Sequence, residues 1–203
     1  MQALPKRQLR QVVLHGNHVR LEPLKTDHAE ELWPLVKQEP GLFDHLSPGA
    51  GGSLGTLRGW IFRRVAEESV DVAEPFLMRD PATGKPVGST SYLNIDVHNK
   101  RVEIGNTWIA RSHRRTQTNT EAKLLMLQHA FGDWKAVRVQ FKCDARNEVA
   151  QKALERIGAT REGVMRNERI LPDGFIRDAF VYSIIDQEWP DVKKRLNGLL
   201  WGR

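Results

Sequence analysis

The segment that most restricts how this chain can fold runs from Arg101 to Trp134, RVEIGNTWIARSHRRTQTNTEAKLLMLQHAFGDW. Its opening residues read as a strand, and RSHRRTQTN is polar and basic. TEAKLLMLQHAFGDW then carries apolar residues around nearly its whole circumference, the mark of a helix packed against a sheet. A strand feeding such a helix through a tight polar loop aims free backbone N–H groups and the positive end of the helix dipole at one point. Such a mouth binds phosphate. Arg114 and Arg115 add formal charge beside it, although the loop alone reads equally as a capped helix with solvated arginines.

The flanking sequence supplies the rest of a sheet. Val12 to Leu24 is a strand pair or one bent strand around His15-Gly16-Asn17. Thr26 and Ser53 are expected to cap two helices, with Ala29, Leu32, Trp33 and Val36 on one face and Leu54, Leu57, Ile61 and Val65 on the other. Between them EPGLFDHLSPGAGGSLG breaks every period and is long enough for a functional loop. Pro75 to Met78, Val87 to Val97 and Arg101 to Ile109 read as strands, the last two joined at His98-Asn99-Lys100 with Asn99 suited to the left-handed turn position. Val137 to Cys143 alternates as a strand. A helix from Asn147 stops at Gly158. Arg161 to Ile170 and Ile176 to Ile185 form a last hairpin, and Pro190 opens a closing helix. Strands in blocks with interspersed helices predict an α+β fold with a mixed, mostly antiparallel sheet.

At 203 residues the chain is expected to be one domain, burying roughly 70% of the surface its unfolded form exposes. Its single cysteine, Cys143, excludes a disulfide framework and a multi-cysteine metal site. There is no run of about 18 apolar residues and no apolar segment after the basic N-terminus, so a soluble cytoplasmic protein without membrane contact is expected. A formal charge of +6 suggests a polyanion without naming it.

Several local patterns carry no chemistry. Thr83-Gly84-Lys85 is no phosphate loop, because Arg79 stands where its first glycine belongs. GAGGSLG fails as a dinucleotide fingerprint at Leu54. His15 and His18 flank a turn without a third ligand, so no metal is expected. Cys143, on a buried strand, reads as an inert core thiol.

Three patterns in one order carry the signal: RVEIGNTWIA (101–110), RSHRRTQTNTEA (111–122) and CDARNEVAQKALERIGA (143–159). With VRLEPL (19–24), DGFIRD (173–178) and YSIIDQEWP (182–190), they resemble the GNAT acetyltransferase superfamily, and within it the RimJ/RimL-like branch. The resemblance spans about Val19 to Leu199. It implies a single acetyltransferase domain over 1–203, with a core of about 19–199 and an N-terminal extension over 1–11. The implied fold is a twisted sheet of about seven strands with a V-shaped split between two central strands.

The resemblance also implies transfer of an acetyl group from acetyl-CoA to a primary amine, either a protein or peptide N-terminus or a small molecule. Coenzyme A would lie against Trp108, Ile109 and Ala110 and place its diphosphate on Arg114, Arg115, Thr116, Gln117, Thr118, Asn119 and Thr120. Asn147 would contact the arm near the thioester, and a backbone N–H near Trp108 or Ile109 would meet the developing negative charge. Glu103 matches the branch's acid and would be the general base and part of the acceptor site, alongside Phe43 and Phe175. The family loop carries glycine where this chain has Arg115 and Gln117, so the loop is expected to reach its shape with right-handed residues pointing outward. No hydroxyl follows Asn147 at Ala150 or Leu154, which leaves Tyr182 or solvent to protonate the thiolate. A homodimer is implied. The alternatives are a coenzyme A-binding sensor without turnover and, further away, a nucleic-acid-binding module.

Overall fold

The computed structural model describes residues 12–69 and 73–202, so the expected extension over 1–11 lies outside the described residues. Eight strands form one sheet in the order β1-β2-β3-β4-β5-β6-β8-β7. β1 (Leu14–His15) and β2 (Arg20–Pro23) are followed by α1 (His28–Lys37) and α2 (Leu54–Ser69). β3 (Ala73–Arg79), β4 (Pro86–Asp96) and β5 (Arg101–Ile109) form an antiparallel meander. A 3-10 turn (Arg111–His113) leads into α3 (Gln117–Gln128), then come β6 (Arg138–Asp144), α4 (Glu148–Ile157), β7 (Thr160–Ile170), β8 (Ile176–Ile185) and α5 (Trp189–Trp201). The strand beyond the expected seven comes from Val12 to Leu24, which makes two strands rather than one.

Every neighbouring pair of strands is antiparallel except β5 and β6. These run parallel and pair only from Arg101↔Arg138 to Glu103↔Gln140. Beyond Glu103 the two strands diverge, which produces the V-shaped split.

The sheet is covered unequally. On one face α3, α4 and α5 bury Val102, Ile104, Val139, Phe141, Tyr182 and Ile184 in the larger core. On the other face α1 and α2 bury Leu32, Leu57, Trp60, Ile61 and Trp108 in a smaller one. Each fully buried aliphatic side chain contributes about 1.5–3 kcal/mol of hydrophobic stabilisation. Because side chains alternate across a strand, Glu103, Gln140 and Lys142 emerge on the face of α1 and α2. The smaller core takes in Trp108 of β5 but no residue of β6 or β8.

Three local expectations are corrected. Thr26 does not cap α1: Asp27 holds the cap position without a side-chain bond, and the imidazole of His28 accepts the Lys25 N–H at 3.1 Å. Burial lowers the pKa of His28, which suits an accepting, neutral ring. At the β4–β5 turn the left-handed residue is Lys100, at φ 50°, while Asn99 bonds Asp96 instead. In the loop before α3, Arg115 adopts φ 60°, not the expected right-handed conformation. The chain must reverse between the 3-10 turn and α3, and that reversal needs one left-handed residue whatever its side chain.

Candidate active site

Glu103 stands at the apex of the split, the last β5 residue paired with β6, and is 5% exposed. Three donors converge on its Oε2: Asn94 Nδ2 at 3.0 Å, Lys142 Nζ at 3.2 Å and Gln140 Nε2 at 3.4 Å. Among the described residues none donates to Oε1. The carboxyl is therefore oriented through one oxygen and open at the other. Arg101, two residues before Glu103 on β5, pairs with Asp96.

The charged chain continues across the sheet. Lys142 Nζ lies 3.8 Å from Glu168 Oε1, and Glu168 pairs with the buried Arg177. Glu168 reaches this position through a bulge. β7 and β8 pair at Met165↔Ala179 and again at Arg169↔Arg177, so Arg166, Asn167 and Glu168 together oppose one residue. Asn167 takes φ 52° and its N–H donates to Asp178 Oδ1 at 2.8 Å. Bulges re-aim side chains in this way. Asp144, 2% exposed, holds Arg146 through both carboxylate oxygens, and that pairing outweighs burial to lower its pKa.

The mouth of α3 lies beyond the open edge of β5. Thr116 is the N-cap, its hydroxyl accepting the Thr118 N–H. The N–H groups of Gln117 and Asn119 in the first turn then have no intrahelical acceptor. Thr118 and Thr120 are buried at 3%. Asn119 Oδ1 is buried without a donor, and Arg115 has no partner among the described residues. Arg114 is committed: its Nε donates to the Ile109 carbonyl at 3.0 Å and its Nη2 pairs with Glu39 at 2.6 Å. Between mouth and apex, the β4–β5 register breaks between Ser89 and Ser91, opposite Asn106 at φ 49°. Asn106 Nδ2 and Trp108 Nε1 are both buried without acceptors. An open backbone edge, unused N–H groups at a helix mouth and buried orphan polar atoms fit an acyl-coenzyme A, whose amides and diphosphate supply complementary groups.

The remaining expected residues divide. Asn147 caps α4, its Oδ1 accepting the Ala150 N–H at 3.0 Å, while its Nδ2 donates to no described residue. Ala110 is buried and its N–H donates to the Val87 carbonyl. Phe175 is 42% exposed beneath the Arg146 guanidinium, 4.0 Å from its ring centre. Phe43 is 2% exposed between Trp60 and Trp108, so its ring anchors the α1–α2 loop to the core. Tyr182 is fully buried and donates to Glu155 at 3.2 Å, with burial pushing its hydroxyl up to about 12. That hydroxyl is already engaged in the core and is a poor source of a proton for the thiolate. Burial likewise pushes the Cys143 thiol up to about 11.

The alternation of Gln140, Lys142 and Asp144 with Val139, Phe141 and Cys143 carried a legible signal for a polar strand face, but sequence reasoning did not read it as a site. Glu168 and Arg177 had no such signal. Among the described residues no group of three or more His, Cys, Asp or Glu is placed to hold a metal, and no helix is long and apolar enough to cross a membrane.

The comparisons with known proteins give this arrangement its class, that of the acetyltransferases. Residues 18–160 match the acetyltransferase (GNAT) domain family, and the chain belongs to it. It is an N-acetyltransferase by that membership. Among curated proteins it is 31% identical over 185 residues to the "Putative ribosomal N-acetyltransferase YdaF" of Bacillus subtilis (strain 168), covering 88% of this chain and 97% of that one. Among solved structures, a GCN5-related N-acetyltransferase from Brucella melitensis superposes with a TM-score of 0.84 at 28% identity, over 93% of this chain and 85% of that one. The Microcin C7 self immunity acetyltransferase MccE, solved with acetyl-CoA and AMP, shares the fold at a TM-score of 0.71 and 23% identity, over 84% and 93% of the two chains.

Proposed function

We propose that this chain, as one domain with a core of about 19–199, moves the acetyl group of acetyl-CoA to a primary amine on a protein or peptide N-terminus. Acetyl-CoA supplies an acetyl thioester. The backbone edge of β5 from Trp108 to Ala110 lines up the donor, and the turn from Arg114 to Thr120 receives its diphosphate. A backbone N–H near Trp108 or Ile109 faces the carbonyl oxygen as charge develops on it. Glu103 Oε1 removes the proton of the incoming amine, while Oε2 stays fixed by Asn94, Gln140 and Lys142. Asn147 Nδ2 lies at the start of α4 as a donor for the arm. Phe175 on the β7–β8 turn lines the acceptor side. The departing thiolate takes its proton from solvent.

The observation that carries this reading is the coincidence of Glu103 with the point where β5 and β6 part. The protein acceptor is supported by the relative in Bacillus subtilis, whose name assigns it to ribosomal N-acetylation. We further infer a cytoplasmic homodimer. Its supporting surface is β7, an edge strand whose Val164, Met165 and Ile170 are exposed. The test is thiol release from acetyl-CoA with a panel of N-terminal peptides and small amines, for the wild type and Glu103→Gln. Peptide-dependent release that falls on the order of 100-fold in the variant is expected. Release only with small amines would replace the acceptor, and unchanged release in the variant would remove Glu103 as base.

A further inference from the structure

Lys142 has so far served only to hold Glu103. It lies on β6 two residues past Gln140, the last β6 residue paired with β5, and so flanks the opening of the split. Its Nζ is 3.2 Å from Glu103 Oε2 and 3.8 Å from Glu168 Oε1, and its side chain is 20% exposed. A general base must stand within hydrogen-bonding reach of the proton it removes. Among the described residues Lys142 is the lysine whose amino group stands so to Glu103. Lys123 projects to the opposite face of the sheet, where its Nζ donates to Thr107 at 2.9 Å. Lys152 lies out on α4 beside Glu148, with its side chain 77% exposed.

We propose that Lys142 is itself an acetyl acceptor, modified by the protein's own active site. This inference rests on the reading of Glu103 as base and of the split as the donor groove. The Lys142 ammonium gives one proton to the Glu103 carboxylate, and the neutral Nζ attacks the carbonyl carbon of the acetyl thioester. The N–C bond forms and the C–S bond breaks. The nitrogen loses its second proton to solvent through Glu103, and the thiolate takes a proton from solvent. The products are Nζ-acetyl-Lys142, coenzyme A and one net proton. Acetylation removes the cation lying between Glu103 and Glu168. Glu103 then keeps only the neutral donors Asn94 and Gln140, while Glu168 keeps Arg177 and Arg169, and the acceptor face becomes more favourable to a cationic amine.

The test is mass spectrometry of the full chain after incubation with deuterium-labelled acetyl-CoA. Lys142→Arg and Glu103→Gln are run beside the wild type, and thermal unfolding checks that each variant is folded. Donor binding is followed by thermal shift, and peptide turnover is measured in parallel. Labelling of Lys142 on the order of 100-fold faster than Lys152, abolished at that site by Lys142→Arg and slowed by a similar factor in Glu103→Gln, is expected. Turnover of an external amine with Lys142 labelled no faster than Lys152 overturns the inference and leaves Glu103 as base. Equal labelling in folded Glu103→Gln overturns it as well. A wild type that neither binds donor, releases thiol nor labels Lys142 removes the proposed function and this inference together.

Discussion

Glu121, on the first turns of α3, accepts the backbone N–H of Val19 at 2.9 Å, and the same carboxylate accepts those of Asn17 at 2.9 Å and His18 at 2.6 Å. One buried side chain thereby pins the β1–β2 turn to α3. Gly16 makes this approach possible, since a Cβ there would stand 2.4 Å from Glu121 Oε2.

Glu121→Ala leaves three N–H groups without their acceptor, that of Val19 buried and those of Asn17 and His18 nearer solvent. It is expected to cost about 2–4 kcal/mol in urea unfolding, because hydrogen bonds to charged groups contribute about 1.5–3 kcal/mol each and the turn can partly rehydrate. Gly16→Ala should cost about 1–3 kcal/mol through overpacking. The two losses should not add in the double variant, since removing the carboxylate also removes the clash.

Arg115 holds a left-handed conformation at φ 60°. That conformation costs a residue with a Cβ roughly 1–2 kcal/mol, against about 0.5–1 kcal/mol of extra chain entropy lost by glycine on folding. Arg115→Gly is therefore expected to leave stability unchanged or raise it by up to about 1 kcal/mol. On the proposed placement of the diphosphate at this loop, the same substitution should weaken the salt dependence of coenzyme A binding in calorimetric titrations, because it removes one cation there. A clear loss of stability would show that the arginine side chain has a structural role in the loop.

Burial lowers the Lys123 amino group to about 7. Its partners are the hydroxyls of Thr107 at 2.9 Å and Thr90 at 3.5 Å. Because the folded value lies below the unfolded one, the unfolded chain binds the extra proton between these two values. Stability should therefore rise with pH above 7, by about 1 kcal/mol per unit at most. Urea unfolding from pH 7 to 9 should show this slope in the wild type. Lys123→Met should flatten it and be the more stable protein at pH 7.

Glu168 and Arg177 are both largely buried, with side-chain exposures of 8% and 7%, and Arg177 Nε has no acceptor. Glu168→Gln should cost about 3–5 kcal/mol, because it strands a buried guanidinium. The paired change Glu168→Gln with Arg177→Met should recover most of that loss in chemical unfolding.

Much of the architecture was open to reading along the chain because it rests on local signals. Two runs meeting at His98-Asn99-Lys100 marked β4 and β5, alternation marked β6, the all-round apolar character of TEAKLLMLQHAFGDW marked α3, and Gly158, at φ 95°, marked the end of α4. The helix mouth at Thr116 to Thr120 and the acid on β5 were legible for the same reason, since each lies within a continuous motif. Thr26 misled because the His28 imidazole satisfies the Lys25 N–H without a hydroxyl cap. Phe43 looked like a pocket residue because it sits in a glycine- and proline-rich loop, and only Trp60 and Trp108 on other elements draw it into the core.

What the order of residues determined by itself was the set of elements, the faces they bury and the place of Glu103 and the α3 loop among them, because hydrophobic period and turn chemistry act over a few residues. Tertiary structure alone decided that β5 and β6 part after Glu103↔Gln140. It also decided that a three-residue bulge carries Glu168 to Lys142 and Arg177, and that Glu103 is gripped through one oxygen and open at the other. Those outcomes depend on which strand edges meet and where register breaks, and such long-range pairings leave no periodic trace in the chain that makes them.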